Sequence, residues 1–310
     1  CQTGLKIGQP GAYLSLAKDH AGQIWAAGYN DSLIADGTTT PYGDLVVGKY
    51  DQGKGAVDWL TVDGVPARTD GTCSVYARTD WRGGETQAGE NVGRWTSIQI
   101  GAADQPLVTY YDDTNKRLKM AVFDEGSWKS FVLKEQPGAD VGRYAKMVLD
   151  GTQPVVAFRV TEAGRSKIVI ARATTSTPHS AGDFTFEDAA VNELAPKIPV
   201  IDARPRGLGV GISLARGPKG LGLVAYDGDS GNLVGLFDRG KSPWERVVLD
   251  GEVGSTADKS ALDTGNAGTA ASLLIDDSNV WHVSYVELTS QTLRYLEVHD
   301  GKPERPDIVD

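Results

Sequence analysis

Five residues share one place in a recurring pattern: Ser15, Ser97, Lys146, Ser213 and Ser272. Each follows a glycine by four residues, in Gly11-Ala-Tyr-Leu-Ser15, Gly93-Arg-Trp-Thr-Ser97, Gly142-Arg-Tyr-Ala-Lys146, Gly209-Val-Gly-Ile-Ser213 and Gly268-Thr-Ala-Ala-Ser272. Four hydroxyls and one ammonium brought around a common axis would hold water or an anion. Small hydroxyls are equally what fits where five strands crowd together. A second candidate is Asp227-Gly-Asp229-Ser-Gly231, a D-x-D-x-G run offering oxygen ligands to Ca²⁺. Its competitor is a hairpin turn that uses Asp and Gly for backbone reasons, since the twelve-residue ligand loop and its terminal Glu are missing. No other cofactor is indicated. The adjacent Trp81 and Arg82 have the composition of an interface hot spot, or of half-buried loop packing.

The cysteines are Cys1 and Cys73 alone. A disulfide between them and a lipidated Cys1 of a processed bacterial lipoprotein both predict an extracytoplasmic location: secreted, periplasmic or on the outer membrane. Two unrelated thiols in a cytosolic fragment are the third alternative.

Other chemistry finds less support. The histidines, His20, His179, His282 and His299, show no metal-ligand spacing among themselves, so the commoner zinc arrangements are not expected. No nucleophile elbow, phosphate loop or dinucleotide fingerprint occurs in a strand–turn–helix context. A glycosidase needs two opposed carboxyl groups, and the predicted inner strands LSLAK, TSIQI, AKMVL, ISLAR and SLLI contain none. Sialidase-like chemistry needs converging arginines, for which Arg94, Arg143, Arg159 and Arg216 are the available set. The net charge of −10 comes without a basic cluster, which argues against nucleic acid and anionic membrane surfaces as partners. No apolar run is long enough to span a bilayer.

The elements that must position these residues are short β-runs. Gly93 to Leu133 reads as WTSIQI, PLVTYYD, RLKMAVF and WKSFVL, alternating apolar and polar residues between Asp-, Asn- and Gly-containing turns. Four strands in about forty residues is one propeller blade, and the chain repeats it. The aligned glycines are 82, 49, 67 and 59 residues apart. Tyr29, Tyr110, Phe158, Tyr226 and Tyr285 close the second strands, and the fourth often opens with Trp, as at Trp59, Trp128 and Trp244. The tryptophans other than Trp81 are expected in the core. The prediction is an all-β, five-bladed propeller of four-stranded antiparallel blades forming one domain over residues 1–310. Its blades fall near 11–64, 93–134, 142–191, 209–251 and 268–310, with inner strands near 13–18, 95–100, 144–149, 211–216 and 270–275. Insertions are placed at 65–90 and 174–205. Lys259 to Thr264 would form at most one helical turn, and Arg305 to Asp310 the last fourth strand.

The repeats resemble exported bacterial propeller repeats of the form S-I-x-x-D-x-x-G-x-P-x-V-x-Y-Y-D, best seen in Ser97 to Asp112 and Ser213 to Asp227. They are distantly similar to Asp-box repeats of sialidases through Asp19 to Trp25 and Asp277 to Trp281, without the strict spacing. The resemblance implies a propeller on an exported protein and no single activity. The expected function is a non-catalytic interaction module binding protein or glycan by one face and its long loops. The alternative is a carbohydrate-active hydrolase on the same scaffold.

Overall fold

A computed structural model describes residues 8–32, 42–64, 89–192, 206–251 and 266–310. Every described element is a strand except one 3-10 turn, Ala181–Asp183. The strands run β1 (Gln9–Lys18), β2 (Ile24–Ser32), β3 (Tyr42–Asp51), β4 (Ala56–Asp63), β5 (Val92–Ile100), β6 (Pro106–Asp112), β7 (Arg117–Asp124) and β8 (Ser127–Lys134). They continue with β9 (Ala139–Asp150), β10 (Gln153–Glu162), β11 (Arg165–Ala173), β12 (Phe184–Asn192), β13 (Leu208–Gly217), β14 (Gly220–Asp227), β15 (Asn232–Phe237) and β16 (Glu245–Asp250). The last are β17 (Ala267–Ile275), β18 (Trp281–Glu287), β19 (Thr292–His299), β20 (Lys302–Pro303) and β21 (Asp307–Ile308). They form five sheets in simple chain order, β1 to β4, β5 to β8, β9 to β12, β13 to β16 and β17 to β20, with β21 also on β19. Neighbouring strands within these sheets pair antiparallel.

The chain divides into two units, Cys1–Met147 with Ala173–Phe184, and Val148–Arg172 with Thr185–Asp310. One joint recurs within each. In the first unit Gly142, at φ +108°, lies so near Leu118 that an added Cβ would meet Leu118 Cβ at 2.7 Å and Cα at 2.9 Å. In the second, Gly268 at φ +117° would meet Leu233 Cα at 2.8 Å. The aligned glycine therefore exists to let two sheets approach and to adopt a backbone that side chains resist. Apolar cores fill in around these joints, with Leu45, Ile98, Val108 and Tyr110 in the first unit and Leu233, Leu273, Val283 and Leu296 in the second. Gly11 has no atom within 4 Å of its Cβ direction. On the same strand Leu16 is 60% exposed, whereas Ile98 at the equivalent place on β5 is 1% exposed.

The second strands β6, β14 and β18 end in a buried acid, Asp112, Asp227 and Glu287, that closes the hairpin. Asp112 accepts from the Asn115 amide at 3.0 Å and the Arg117 Nε at 2.7 Å. Glu287 accepts from the Thr289 and Ser290 amides, both at 2.7 Å, and pairs with Arg294 at 3.4 Å. Burial acts to raise the Glu287 pKa, but the hydrogen bonds from Ser290 and Thr289 outweigh it and hold the carboxyl below its usual range.

Four expectations need correction. Residues 184–192, which overlap both the third blade (142–191) and the second insertion (174–205) as drawn, form β12, the fourth strand of the third sheet, and are not insertion. The final fourth strand is split into β20 and β21. The closing aromatics occupy two registers: Tyr29 pairs with Ala12 and Tyr226 with Val210, while the residues at that place in the second and fifth sheets are Tyr111 and Val286. Tyr110 and Tyr285 come one residue earlier and donate instead to Asp63 and Asp250, both at 2.6 Å. Finally, Trp244 and Trp281 are buried, but Trp25, Trp59, Trp95 and Trp128 are only half-buried. The segment 259–264 lies outside the described residues.

Candidate binding surface

The aligned serines first answer to the backbone. A first strand is the edge of its sheet, so its outward N–H groups need partners. Ser15 Oγ accepts from the Ile98 amide at 3.1 Å and Ser97 Oγ from the Met147 amide at 2.9 Å. In the second unit Ser213 Oγ accepts from the Leu273 amide at 3.0 Å. Each of these three hydroxyls thus bridges to the first strand of the following sheet and keeps its own proton to give. Ser272 is exposed. Lys146 cannot accept, and among the described residues it has no ion pair. Its side chain reaches solvent, yet burial lowers its pKa, so protein surrounds an ammonium that water still touches.

Two residues before each aligned place, the first strand bulges. The register shifts between Ala12 and Ser15, Arg94 and Ser97, Val210 and Ser213, and Thr269 and Ser272. The residues at the bulge have positive φ: Tyr13 (53°), Trp95 (49°), Tyr144 (58°), Gly211 (62°) and Ala270 (53°). Glycine takes this backbone freely, whereas a non-glycine residue there costs on the order of 1–3 kcal/mol. Three bulky aromatics in succession accept that cost, all in the first unit.

Their rings form one surface. Tyr13 and Trp95 have centroids 5.2 Å apart, and Trp95 and Tyr144 5.1 Å. Tyr29 and Tyr111 meet the edges of Tyr13 and Trp95 at 5.9 and 5.2 Å. The Arg143 guanidinium lies 5.4 Å from the Trp95 ring and 5.3 Å from Tyr111, within cation–π range, and Arg94 is 5.2 Å from Tyr29. Tyr13 is 40% exposed, and Trp95 and Tyr144 are half-buried.

The charges beneath the rings are committed to one another. Arg94 pairs with Asp113 at 3.1 Å, Arg143 with Asp140 at 2.7 Å, and Lys116 with Asp113 at 2.8 Å. The Tyr111 hydroxyl donates to Asp140 at 2.8 Å, and burial followed by this bond pushes its pKa well up. The surface therefore offers ring faces and partly exposed guanidinium N–H groups, with both nearby carboxylates held in ion pairs. That composition suits stacking and hydrogen bonding to a neutral polyhydroxyl or aromatic group. It does not assemble the free acid and opposed carboxylate of glycoside hydrolysis.

Of the four arginines considered for a carboxylate-binding cluster, Arg94 and Arg143 approach one Asp113, at 3.1 and 3.9 Å. In the second unit Arg216 pairs with Asp150 at 2.7 Å, and Arg159 donates to the Arg206 carbonyl. The D-x-D-x-G turn has the geometry of a hairpin cap. Asp227 accepts from Asn192 at 3.0 Å, the Asp229 amide at 3.1 Å, Ser230 at 2.9 Å and Arg246 at 2.6 Å. Asp229 accepts from the Gly207 amide at 3.0 Å and Asn192 at 3.2 Å. Protein donors thus use the lone pairs that Ca²⁺ would need. Trp81, Arg82, Cys1 and Cys73 lie outside the described residues.

Sequence reasoning placed Trp95 in the core and passed over Tyr13 and Tyr144. The signal was present: an aromatic stands two residues before the aligned Ser or Lys in three successive copies.

No protein-family model matches the chain, and no curated protein matches its sequence. Among solved structures it is similar to a protein of unknown function from Dyadobacter fermentans, at 13% identity and TM-score 0.44, over 98% of this chain and 94% of that one. It is similar to a thermostable family-43 glycoside hydrolase at 12% identity and TM-score 0.45, over 100% and 95%. A family-43 endo-arabinanase from Bacillus licheniformis aligns at 11% identity and TM-score 0.42, over 69% and 79%. Likenesses this remote leave the activity to be argued from the residues.

Proposed function

We propose that the five sheets are the blades of one five-bladed propeller and that the chain is a non-catalytic recognition module. It takes a glycan on the Tyr13–Trp95–Tyr144 surface. The recurrence of the glycine joint in both units supports the propeller. The observation that carries the binding reading is the run of three solvent-reaching rings on left-handed backbone. A core aromatic needs no such backbone, and strain of this kind collects where a side chain must be aimed. Sugar rings present apolar C–H faces to such a surface and hydroxyls to Arg94 and Arg143. Binding proteins in general use rigid aromatics with a few placed polar groups in this way. A module of this kind works outside the cytoplasm, where a Cys1–Cys73 bridge would persist.

The test is a glycan array followed by titration of the best ligand against tryptophan fluorescence. Trp95→Ala is expected to abolish binding at concentrations that saturate the parent, with the far-UV spectrum unchanged. Retained affinity in Trp95→Ala and Tyr144→Ala would remove the surface from the argument. Release of reducing ends from any array hit would favour the hydrolase instead.

A further inference from the structure

The fifth sheet gathers titratable groups that the sequence leaves scattered. On β18, His282 is the cross-strand partner of Glu297 on β19. Its Nδ1 lies 2.6 Å from the Tyr295 hydroxyl, which donates to Glu297 Oε1 at 2.9 Å. β19 then turns through Asp300 and Gly301, with φ of 50° and 82°, into β20. Two central residues with positive φ are the signature of a tight type I′ hairpin. The register sets His299 opposite Lys302, and the Glu304 amide donates to the Glu297 carbonyl at 2.8 Å. Glu304 therefore stands directly across from Glu297, and like charges so placed repel. Lys302 makes no ion pair among the described residues. Between the two carboxylates is His299 Nε2, 3.1 Å from Glu297 Oε2 and 3.4 Å from Glu304 Oε1. One donor atom from each residue lies within 4.8 Å of the other two.

We propose that Glu297, His299 and Glu304 bind a divalent transition-metal cation of the Zn²⁺ type. A tetrahedral ion at about 2.0–2.1 Å from its ligands holds them about 3.3 Å from one another. The imidazole–carboxylate separations of 3.1 and 3.4 Å lie on either side of that spacing. One imidazole nitrogen and two carboxylate oxygens, completed by water, make a set for Zn²⁺ and its neighbours. Ca²⁺ wants six to eight oxygens and Mg²⁺ an octahedron of them. The hairpin fixes the ligands on regular backbone. Tyr295 holds Glu297 by the oxygen that the ion would not use, the kind of outer contact that orients metal ligands. The competing occupant of the gap is a proton on His299, giving an imidazolium paired with both glutamates. This site is independent of the glycan reading, since it uses no residue of the aromatic surface.

The experiment is calorimetric titration of metal-free protein with ZnCl₂, with thermal unfolding followed in parallel. His299→Ala and Glu304→Gln are the variants, and both residues are exposed enough to be replaced without loss of the fold. One Zn²⁺ should bind and raise the melting temperature, and each variant should weaken binding by about tenfold or more. Tyr295→Phe should weaken it less, and Ca²⁺ or Mg²⁺ should leave the melting temperature unmoved. Absence of Zn²⁺ binding overturns the proposal. So does equal affinity in parent and variants, which would place the ion on other side chains.

Discussion

Replacing Gly142 by alanine tests the joint on which the sheets' packing rests. The added Cβ would lie 2.7 Å from Leu118 Cβ and 2.9 Å from its Cα, and the backbone atom cannot swing away. Two costs combine. Holding a non-glycine residue at φ +108° costs about 1–3 kcal/mol, and forcing the two sheets apart about 1–3 kcal/mol more. The expected loss, about 2–6 kcal/mol, is a large share of a typical domain's stability of roughly 5–15 kcal/mol. Gly11→Ala separates the two costs. Gly11 holds the same repeat position at φ +130°, but its Cβ direction is empty within 4 Å. The strain is therefore shared and only the steric part differs. Urea unfolding of parent, Gly142→Ala and Gly11→Ala should give a midpoint for Gly142→Ala below that of Gly11→Ala by the equivalent of about 1–3 kcal/mol, with similar m-values. Equal midpoints would refute the close-approach account of the aligned glycine.

Three further outcomes are expected. Glu287→Gln should destabilise by about 1–3 kcal/mol, because Arg294 and the turn amides lose a charged acceptor. The Glu287 pKa is held below its ordinary 4.5, so the parent's advantage should be present above that pH and vanish as pH falls through the folded value; a parent–variant gap that stays constant into acid would contradict this. Lys146 has the same sign, in a more alkaline window. Burial lowers its pKa from 10.5, so the folded state binds fewer protons than the unfolded one, and stability should rise with pH toward 10.5. Lys146→Ser should remove that rise, which urea midpoints measured between neutral pH and pH 10.5 will detect. Peptide mapping without reductant should recover Cys1 and Cys73 linked, and reduction should cost about 4 kcal/mol in the chain-entropy account. A diacylglyceryl mass on Cys1 would instead show the lipidated form.

The repeat was legible because its punctuation is local. A glycine four residues before a hydroxyl, followed by a turn-bounded aromatic strand, survives in the sequence whatever the packing does. Register was less legible, because the bulge inserts a residue that breaks the two-residue period after each aligned glycine. β12 was missed because FTFEDAAVN lacks the leading tryptophan of its counterparts and follows a stretch rich in Ser, Thr and Pro. The bulge also hid the aromatic surface, since side-chain alternation gives no direction for a residue on left-handed backbone. The Glu297–His299–Glu304 group escaped because a search for paired histidines cannot see one histidine whose partners arrive across a hairpin.

The left-handed aromatics set two kinds of selection against each other. At this position the second unit has Gly211, which holds the same backbone at φ 62° without penalty, and Ala270, which holds it at φ 53° with no ring to aim. For folding alone, glycine is the better residue, and a drift of Tyr13, Trp95 or Tyr144 toward it would relax the strand while erasing a ring. Where the aromatics stay, something other than the fold must retain them, which is the trade between activity and stability seen at many working sites. Under the proposed glycan reading, rings already packed against one another would lose little side-chain entropy on contact. A mutational library sorted for thermal resistance alone should enrich glycine at these three positions, and one sorted for ligand capture should deplete it.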